Sequence, residues 1–188
     1  MLCEEGLRLL QERRSIRSFE DRQITAEELD EIIKTVLNSP TAHNKQLFHF
    51  TVVQDKALID HMAEAIRQVM FKGTPEQVEK ASTPGYSPLY YAPTVIMVTG
   101  DIKSGFNVQT DCGIAAGMIM AAAEEMGLAS CMIGSSVFMF KGDEGDALRA
   151  KLEIPEGYQS IGCVAIGYRK GDKPEKKERK EGLVTYIR

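Results

Sequence analysis

Tryptophan is absent from this 188-residue chain, histidine occurs three times, and the four cysteines form no C-x-x-C pair. Cys3, Cys112, Cys131 and Cys163 stand far apart, mostly among apolar neighbours. Zinc and dithiol chemistry are therefore left without a ligand set, and inert thiols in a reducing compartment are expected. His43, His49 and His61 have no cysteine or carboxylate at metal-ligand spacing, so no metal site is expected. No apolar run approaches 18 residues, and neither a leader-like segment nor a lipidation motif is present. The expectation is a soluble, cytoplasmic protein. A formal net charge of −4 without an extended basic face argues against nucleic acid as a partner. Gly100 to Gly105 is neither a P-loop nor a dinucleotide fingerprint, and Ser15 and Ser39 lack any motif that would activate a nucleophile.

What is present suffices for a sizeable core. Hydrophobic residues make up 43% of the chain, which suits one domain over residues 1–188. A helix is predicted over 2–12, with Leu2, Leu7, Leu9 and Leu10 toward the core. Thr25-Ala26-Glu27-Glu28 is a capping box opening a second helix, whose stripe is Leu29, Ile32, Ile33, Val36 and Leu37 and which stops before Pro40. Residues 47–53 read as a strand, and Asp55 caps a helix to about Phe71. Residues 72–92, with Pro75, Pro84, Pro88, Gly85 and three tyrosines, read as a mobile surface excursion suited to a lid. A buried strand over 93–99, a small-residue helix over 107–126, a strand over 129–134, a polar helix over 142–152 and a strand over 159–168 follow. Asp111 reads as the N-cap of the small-residue helix. The charged extension 169–188 ends in Leu183-Val184-Thr185-Tyr186-Ile187, a strand pattern that needs a partner edge in its own sheet or in a second subunit. Gly113, Ala115, Ala116, Gly117 and Ala121 to Ala123 would allow close helix approach in a homodimer. Helices segregated from a few strands indicate an α+β fold.

Two clusters carry chemistry. Arg13-Arg14-Ser15-Ile16-Arg17-Ser18-Phe19 gathers three guanidinium groups and two hydroxyls between core-like residues, inside an acidic chain. Arginine's planar fork suits phosphate, although a solvated charge cluster at a helix end would look the same. Ser39-Pro40-Thr41-Ala42-His43-Asn44-Lys45-Gln46 joins a helix to a strand and offers donors and acceptors beyond the needs of a turn.

Together, in this order and spacing, the two clusters resemble the nitroreductase family of FMN-dependent oxidoreductases. Asp111-Cys112-Gly113, Glu125-Met126-Gly127-Leu128-Ala129-Ser130, Met132-Ile133-Gly134-Ser135, Ile166-Gly167-Tyr168 and Lys177-Glu178-Arg179 extend the resemblance over nearly the whole chain. It implies a central, mostly antiparallel sheet flanked by helices. It also implies a homodimer with exchanged C-terminal arms and FMN at the dimer interface. By resemblance, Arg13, Arg14 and Ser15 hold the phosphate and ribityl chain, and Arg17 lies near the pyrimidine edge. Pro40, Thr41, Ala42, Asn44 and Gln46 line the ribityl and ring from the partner subunit in many members. Ile133, Gly134 and Ser135 run along the ring's other side, and Lys177 and Arg179 reach the phosphate, with Arg169 beside them. The implied reaction passes hydride from NAD(P)H through flavin N5 to a nitroaromatic or quinone in a ping-pong scheme. No protein residue is expected to act as a catalytic acid or base. Flavin fragmentation, ferredoxin-linked or dehalogenating reduction on the same fold, and a non-catalytic FMN-binding protein are the alternatives.

Overall fold

The computed structural model describes residues 4–188, so the expectation for Leu2 and the residue Cys3 lie outside the described residues. The chain runs α1 (Glu4–Glu12), α2 (Ala26–Leu37), a 3-10 turn (Ala42–Asn44), β1 (Phe48–Val53), α3 (Lys56–Phe71), α4 (Pro75–Ser82), β2 (Thr94–Gly100) and α5 (Val108–Glu125). It continues through β3 (Ala129–Ile133), a 3-10 segment (Gly134–Phe140), α6 (Gly145–Lys151) and β4 (Gln159–Gly167). All three strand pairings are antiparallel, in the order β1-β2-β4-β3. The expected α+β architecture, with an antiparallel sheet flanked by helices, is what the chain adopts.

β2 and β4 occupy the centre of the sheet, and β2 is buried along its whole length. Its side chains alternate between two cores, as strand geometry requires. Val95 and Met97 join α3, α6 and the 134–140 segment on one face, while Ile96 and Val98 join α2 and α5 on the other. In β4, Cys163 and Ala165 face the first core, and Val164 and Ile166 face the second. Helices cover both faces, so the apolar run of a central strand shows no polar alternation.

Local chemistry sets the helix starts. The Thr25 hydroxyl accepts from the Glu28 amide at 3.1 Å and the Glu28 carboxylate accepts from the Thr25 amide at 2.8 Å, the reciprocal box read in the sequence. Asp55 caps α3 by accepting from the Leu58 amide at 2.8 Å. At Gly100, where β2 ends, a Cβ would lie 2.5 Å from Val108 Cγ1, 2.9 Å from Cys112 Sγ and 3.0 Å from the Leu47 carbonyl oxygen. The start of α5 is seated on bare backbone there.

Four expectations need correction. Residues 72–92 are not a loose excursion. They contain α4, whose cap Thr74 forms a second box with Gln77 around Pro75 at the first helical turn, and Leu89 is fully buried. The polar helix expected over 142–152 begins only at Gly145, after the 3-10 segment. Leu7 and Leu10 of α1 are 45% and 60% exposed, because no other described residue covers that face. Leu183 to Ile187 form no strand in the single chain and stay exposed, since no sheet edge reaches them.

Replacing Gly100 by alanine should destabilise the fold by about 2 kcal/mol in urea titrations, because one contact is backbone and cannot rotate away. Burial pushes the Cys112 thiol up to about 11, with the Asp111 carboxylate adding to the rise, and burial pushes Cys163 up to about 12. In the unfolded chain thiols ionise near pH ~8.5. The unfolded state thus sheds those protons first, and stability should fall as pH rises from about 8.5 toward 11. Mass spectrometry after iodoacetamide at pH 8 should find Cys112 and Cys163 unlabelled in the native protein and labelled after denaturation.

Candidate functional site at the ends of helix α5

The first wall is the arginine segment, threaded along the free side of β3. The Arg13 amide closes α1 by donating to the Leu9 carbonyl at 3.0 Å. Ser15 then bridges Ser130 in parallel fashion, with the Ile16 amide donating to the Ser130 carbonyl at 3.0 Å. Farther on, Lys170 N–H donates to Ser18 O at 3.1 Å and Glu20 N–H to Tyr168 O at 2.9 Å. Ile16 and Phe19 both turn inward, to 5% and 6% exposure, while Arg17 and Ser18 between them stay exposed. Ser15 and Arg17 are left on the other side.

The guanidinium groups have few partners among the described residues, and no carboxylate is one of them. Arg13 Nη1 meets only a soft acceptor, Met120 Sδ, at 3.9 Å. Arg14 Nη1 donates to the carbonyls of Gln11 at 3.0 Å and Arg13 at 2.8 Å, while its Nε is buried without any partner. Arg17 stands 5.9 Å from the centroid of the Tyr90 ring, a cation–π distance. Among the described residues no carboxylate pairs with any of the three, although acidic residues outnumber basic ones. The Cys131 thiol sits among them. Burial raises its pKa, and Arg17, a Ser15 hydrogen bond and Arg13 each pull it back. The Ser130 hydroxyl, on the opposite face of β3, is buried and unpaired. An orphaned guanidinium N–H and cations without carboxylate partners are donors that a phosphate would satisfy.

The second wall is the loop after α2. Ser39 Oγ donates to Met118 Sδ at 3.1 Å, and the Ala42 amide donates to Asp111 Oδ2 at 3.0 Å. The Gln46 amide donates to Thr41 Oγ1 at 3.1 Å, and Gln46 Nε2 donates to Asn44 Oδ1 at the same distance. His43, Asn44 and Gln46 all have left-handed backbone, at φ 51°, 53° and 51°. Side chains from His43 to Gln46 face solvent. Asp111 is thus not the expected N-cap of α5: Asn107 holds that position without a side-chain bond, and the Asp111 carboxylate serves the loop.

Ile133 ends β3 opposite Cys163, with Ser136 Oγ donating to its carbonyl at 2.8 Å. Gly134 next to it is exposed, with nothing within 4 Å of an added Cβ, and Ser135 is half-buried. Arg17 also borders a cleft of about 290 Å³ walled by Tyr86, Tyr90 and Tyr91 from the segment after α4, with Lys170 opposite. Lys177 and Arg179 lie on the exposed tail, beyond its last side-chain anchor among the described residues, the Lys173–Glu124 ion pair.

One chain therefore assembles the two clusters separately. Both touch α5 but on opposite flanks: the loop meets Asp111 and Met118, and the arginines meet Met120, about half a turn around the helix from Asp111. Between these two sides runs an exposed stripe with Gly113, Ile114 and Gly117. A Cβ added at either glycine would meet nothing within 4 Å. Sequence reasoning missed the Arg17–Tyr90 and Ala42–Asp111 contacts, because each joins segments whose separation hides the pairing.

Comparison with known proteins supports the same grouping. A protein from Archaeoglobus fulgidus named for NADH dehydrogenase/NAD(P)H nitroreductase activity is 31% identical over 172 residues, 90% of this chain and 88% of its own. An NAD(P)H FMN reductase from Bacillus subtilis is 28% identical, over 93% of this chain and 70% of its own. The crystal structure of a nitroreductase with bound FMN from Bacteroides fragilis superposes with a TM-score of 0.90 at 28% identity, covering 98% of this chain and 99% of that one. The sequence pattern of the Nitroreductase family matches residues 10–168, and the chain belongs to that family.

Proposed function

We propose that this protein is an FMN-dependent NAD(P)H oxidoreductase that reduces an electron-poor acceptor, a nitroaromatic or a quinone. The observation that carries this reading is the set of three guanidiniums left without carboxylate partners beside β3, with Arg14 Nε buried and unpaired. Relatives named for FMN and NAD(P)H support it. Arg13, Arg14 and Ser15 bind the phosphate and ribityl chain, and a phosphate dianion drawn partly out of water needs at least two such cations. Arg17 faces the pyrimidine edge, where its fixed charge favours the reduced, anionic ring. When bound, FMN supplies the two-electron chemistry at ring N5. Protein acid–base groups are not required, and the nicotinamide leaves before the acceptor enters, a ping-pong order.

Two copies complete the site. The exposed Gly113–Ile114–Gly117 stripe of α5 packs against its counterpart in a second chain, the copies running antiparallel. That places the partner's loop, with Pro40, Thr41, Ala42, Asn44 and Gln46, at the level of this chain's arginines. Ile133, Gly134 and Ser135 line the ring's other side. The extension 169–188 crosses to the partner, where residues 183–187 gain a sheet edge and Lys177 and Arg179 reach the phosphate. The exposed faces of Leu7, Leu10 and the terminal apolar residues are covered in the same assembly. Residues 1–188 act as one flavin-binding domain, and the tyrosines of 72–92 form the acceptor's wall. Buried, unpaired thiols suit the cytoplasm.

Purified protein should be yellow, and steady oxidation of NAD(P)H should continue with menadione. A single bleaching that then stops would instead identify a flavin-binding protein without turnover. Arg17→Ala should lower the flavin potential, read by spectroelectrochemistry, and an unchanged potential removes that role. Arg13→Ala should weaken FMN retention, and full occupancy after extensive dialysis contradicts it. Gly117→Leu should convert the dimer to a monomer in sedimentation velocity and release FMN.

A further inference from the structure

Asp111 is buried to 9% exposure in the first turn of α5, where the helix dipole favours its negative charge. Among the described residues its carboxylate has one hydrogen-bond partner, the Ala42 amide at 3.0 Å. A carboxylate withdrawn from water is kept where it secures something, because its desolvation is costly. What it secures is a loop with three non-glycine residues in left-handed backbone, His43, Asn44 and Gln46. Such conformations persist only when their surroundings over-determine them. The other ties are weaker: Gln46 to Thr41 and Asn44 are bonds within the loop, Ser39 reaches only a thioether, and His43 and Lys45 lie 6.0 Å and 5.8 Å from the half-exposed Phe106 ring. The strongest link from the loop to the rest of the fold is therefore Ala42 N–H to Asp111.

We propose that Asp111 is a positioning residue for cofactor binding, its carboxylate holding residues 41–46 in the backbone conformation that receives the flavin. This rests on the reading of that loop as a flavin wall. The charge is not needed to contact the cofactor. It acts through one amide, and any acceptor in the same place will serve. Ala42 opens its 3-10 turn and follows extended Thr41 (φ −134°, ψ 152°), so proline fits there and deletes the donor alone.

The test uses full-length Asp111→Ala, Asp111→Asn, Ala42→Pro and the Asp111→Ala/Ala42→Pro double variant, read by FMN titration and by amide hydrogen exchange of the FMN-free proteins. Asp111→Ala and Ala42→Pro should each weaken FMN binding about tenfold. The double variant should lose no more than either, because both remove the same bond. Asp111→Asn, whose amide oxygen can still accept, should bind FMN as the wild type does. The Ala42 amide should be protected in the wild type and in Asp111→Asn but exchange freely in Asp111→Ala. Unchanged affinity in Asp111→Ala, additive losses, or an Asp111→Asn as weak as the alanine variant would overturn the proposal. Should Asp111→Ala fail to fold, Asp111→Asn and Ala42→Pro decide it by the same criteria. A wild type that binds no FMN would remove the flavin reading, whereas the exchange rate at Ala42 would still report whether Asp111 holds the loop.

Discussion

The backbone bond from Ile16 N–H to the Ser130 carbonyl is the constraint on which the site depends. It lays the arginine segment along β3, with Ile16 and Phe19 in the core and Arg17 and Ser18 exposed between them. Arg13 and Arg14 are thereby held half-buried, and Arg17 stands exposed beside the Tyr90 ring. Arg13 and Arg17 lie near the buried Cys131 thiol, in a chain rich enough in carboxylates to have neutralised them. Concentrating like charge in this way costs stability unless an anion returns it, which is the physical case for a phosphate ligand.

Helix α5 supplies the scale of the arrangement. Its buried side, from Val108 to Ala123, is anchored on the sheet through the close approach at Gly100. Its two flanks carry the loop and the arginines, and its exposed stripe of glycines lies between them. In the proposed dimer each copy holds two half-sites, one on each flank of the helix. The unsatisfied features of the single chain share one explanation in a second copy: exposed leucines on α1, an apolar terminus without a strand partner, and open glycines on α5. In the proposed dimer, packing, cofactor affinity and activity would be linked, because the surfaces that bury apolar area would also complete the donor set.

Where interactions are local, the fold was readable from residue patterns. The capping box at Thr25, the cap at Asp55 and the inward pair Ile16 and Phe19 depend on neighbours within a few positions. The errors have physical causes as well. The Thr74–Gln77 box is present in the sequence, but the prolines and glycine that follow it give the segment the composition of a loop and hide α4. Leu7, Leu10 and residues 183–187 carry the apolar pattern of buried elements, yet pattern does not say whether the covering surface belongs to the same chain. Asp111 has the residue type and helix position of a cap, and only the tertiary placement of Ala42 shows otherwise. The candidate site was thus legible as a list of segments, while the contacts joining Arg17 to Tyr90 and Asp111 to Ala42 were not.

The central claim is that the unpaired arginines are kept for the phosphate of a flavin nucleotide. Its most direct test is a fluorescence titration of the cofactor-free protein with FMN and, in parallel, with riboflavin, which shares the ring and ribityl chain but lacks the phosphate. Two or more charge-assisted contacts predict that FMN binds tighter by about a hundredfold or more, with the difference shrinking as salt is raised. Equal affinities for the two flavins would contradict the account.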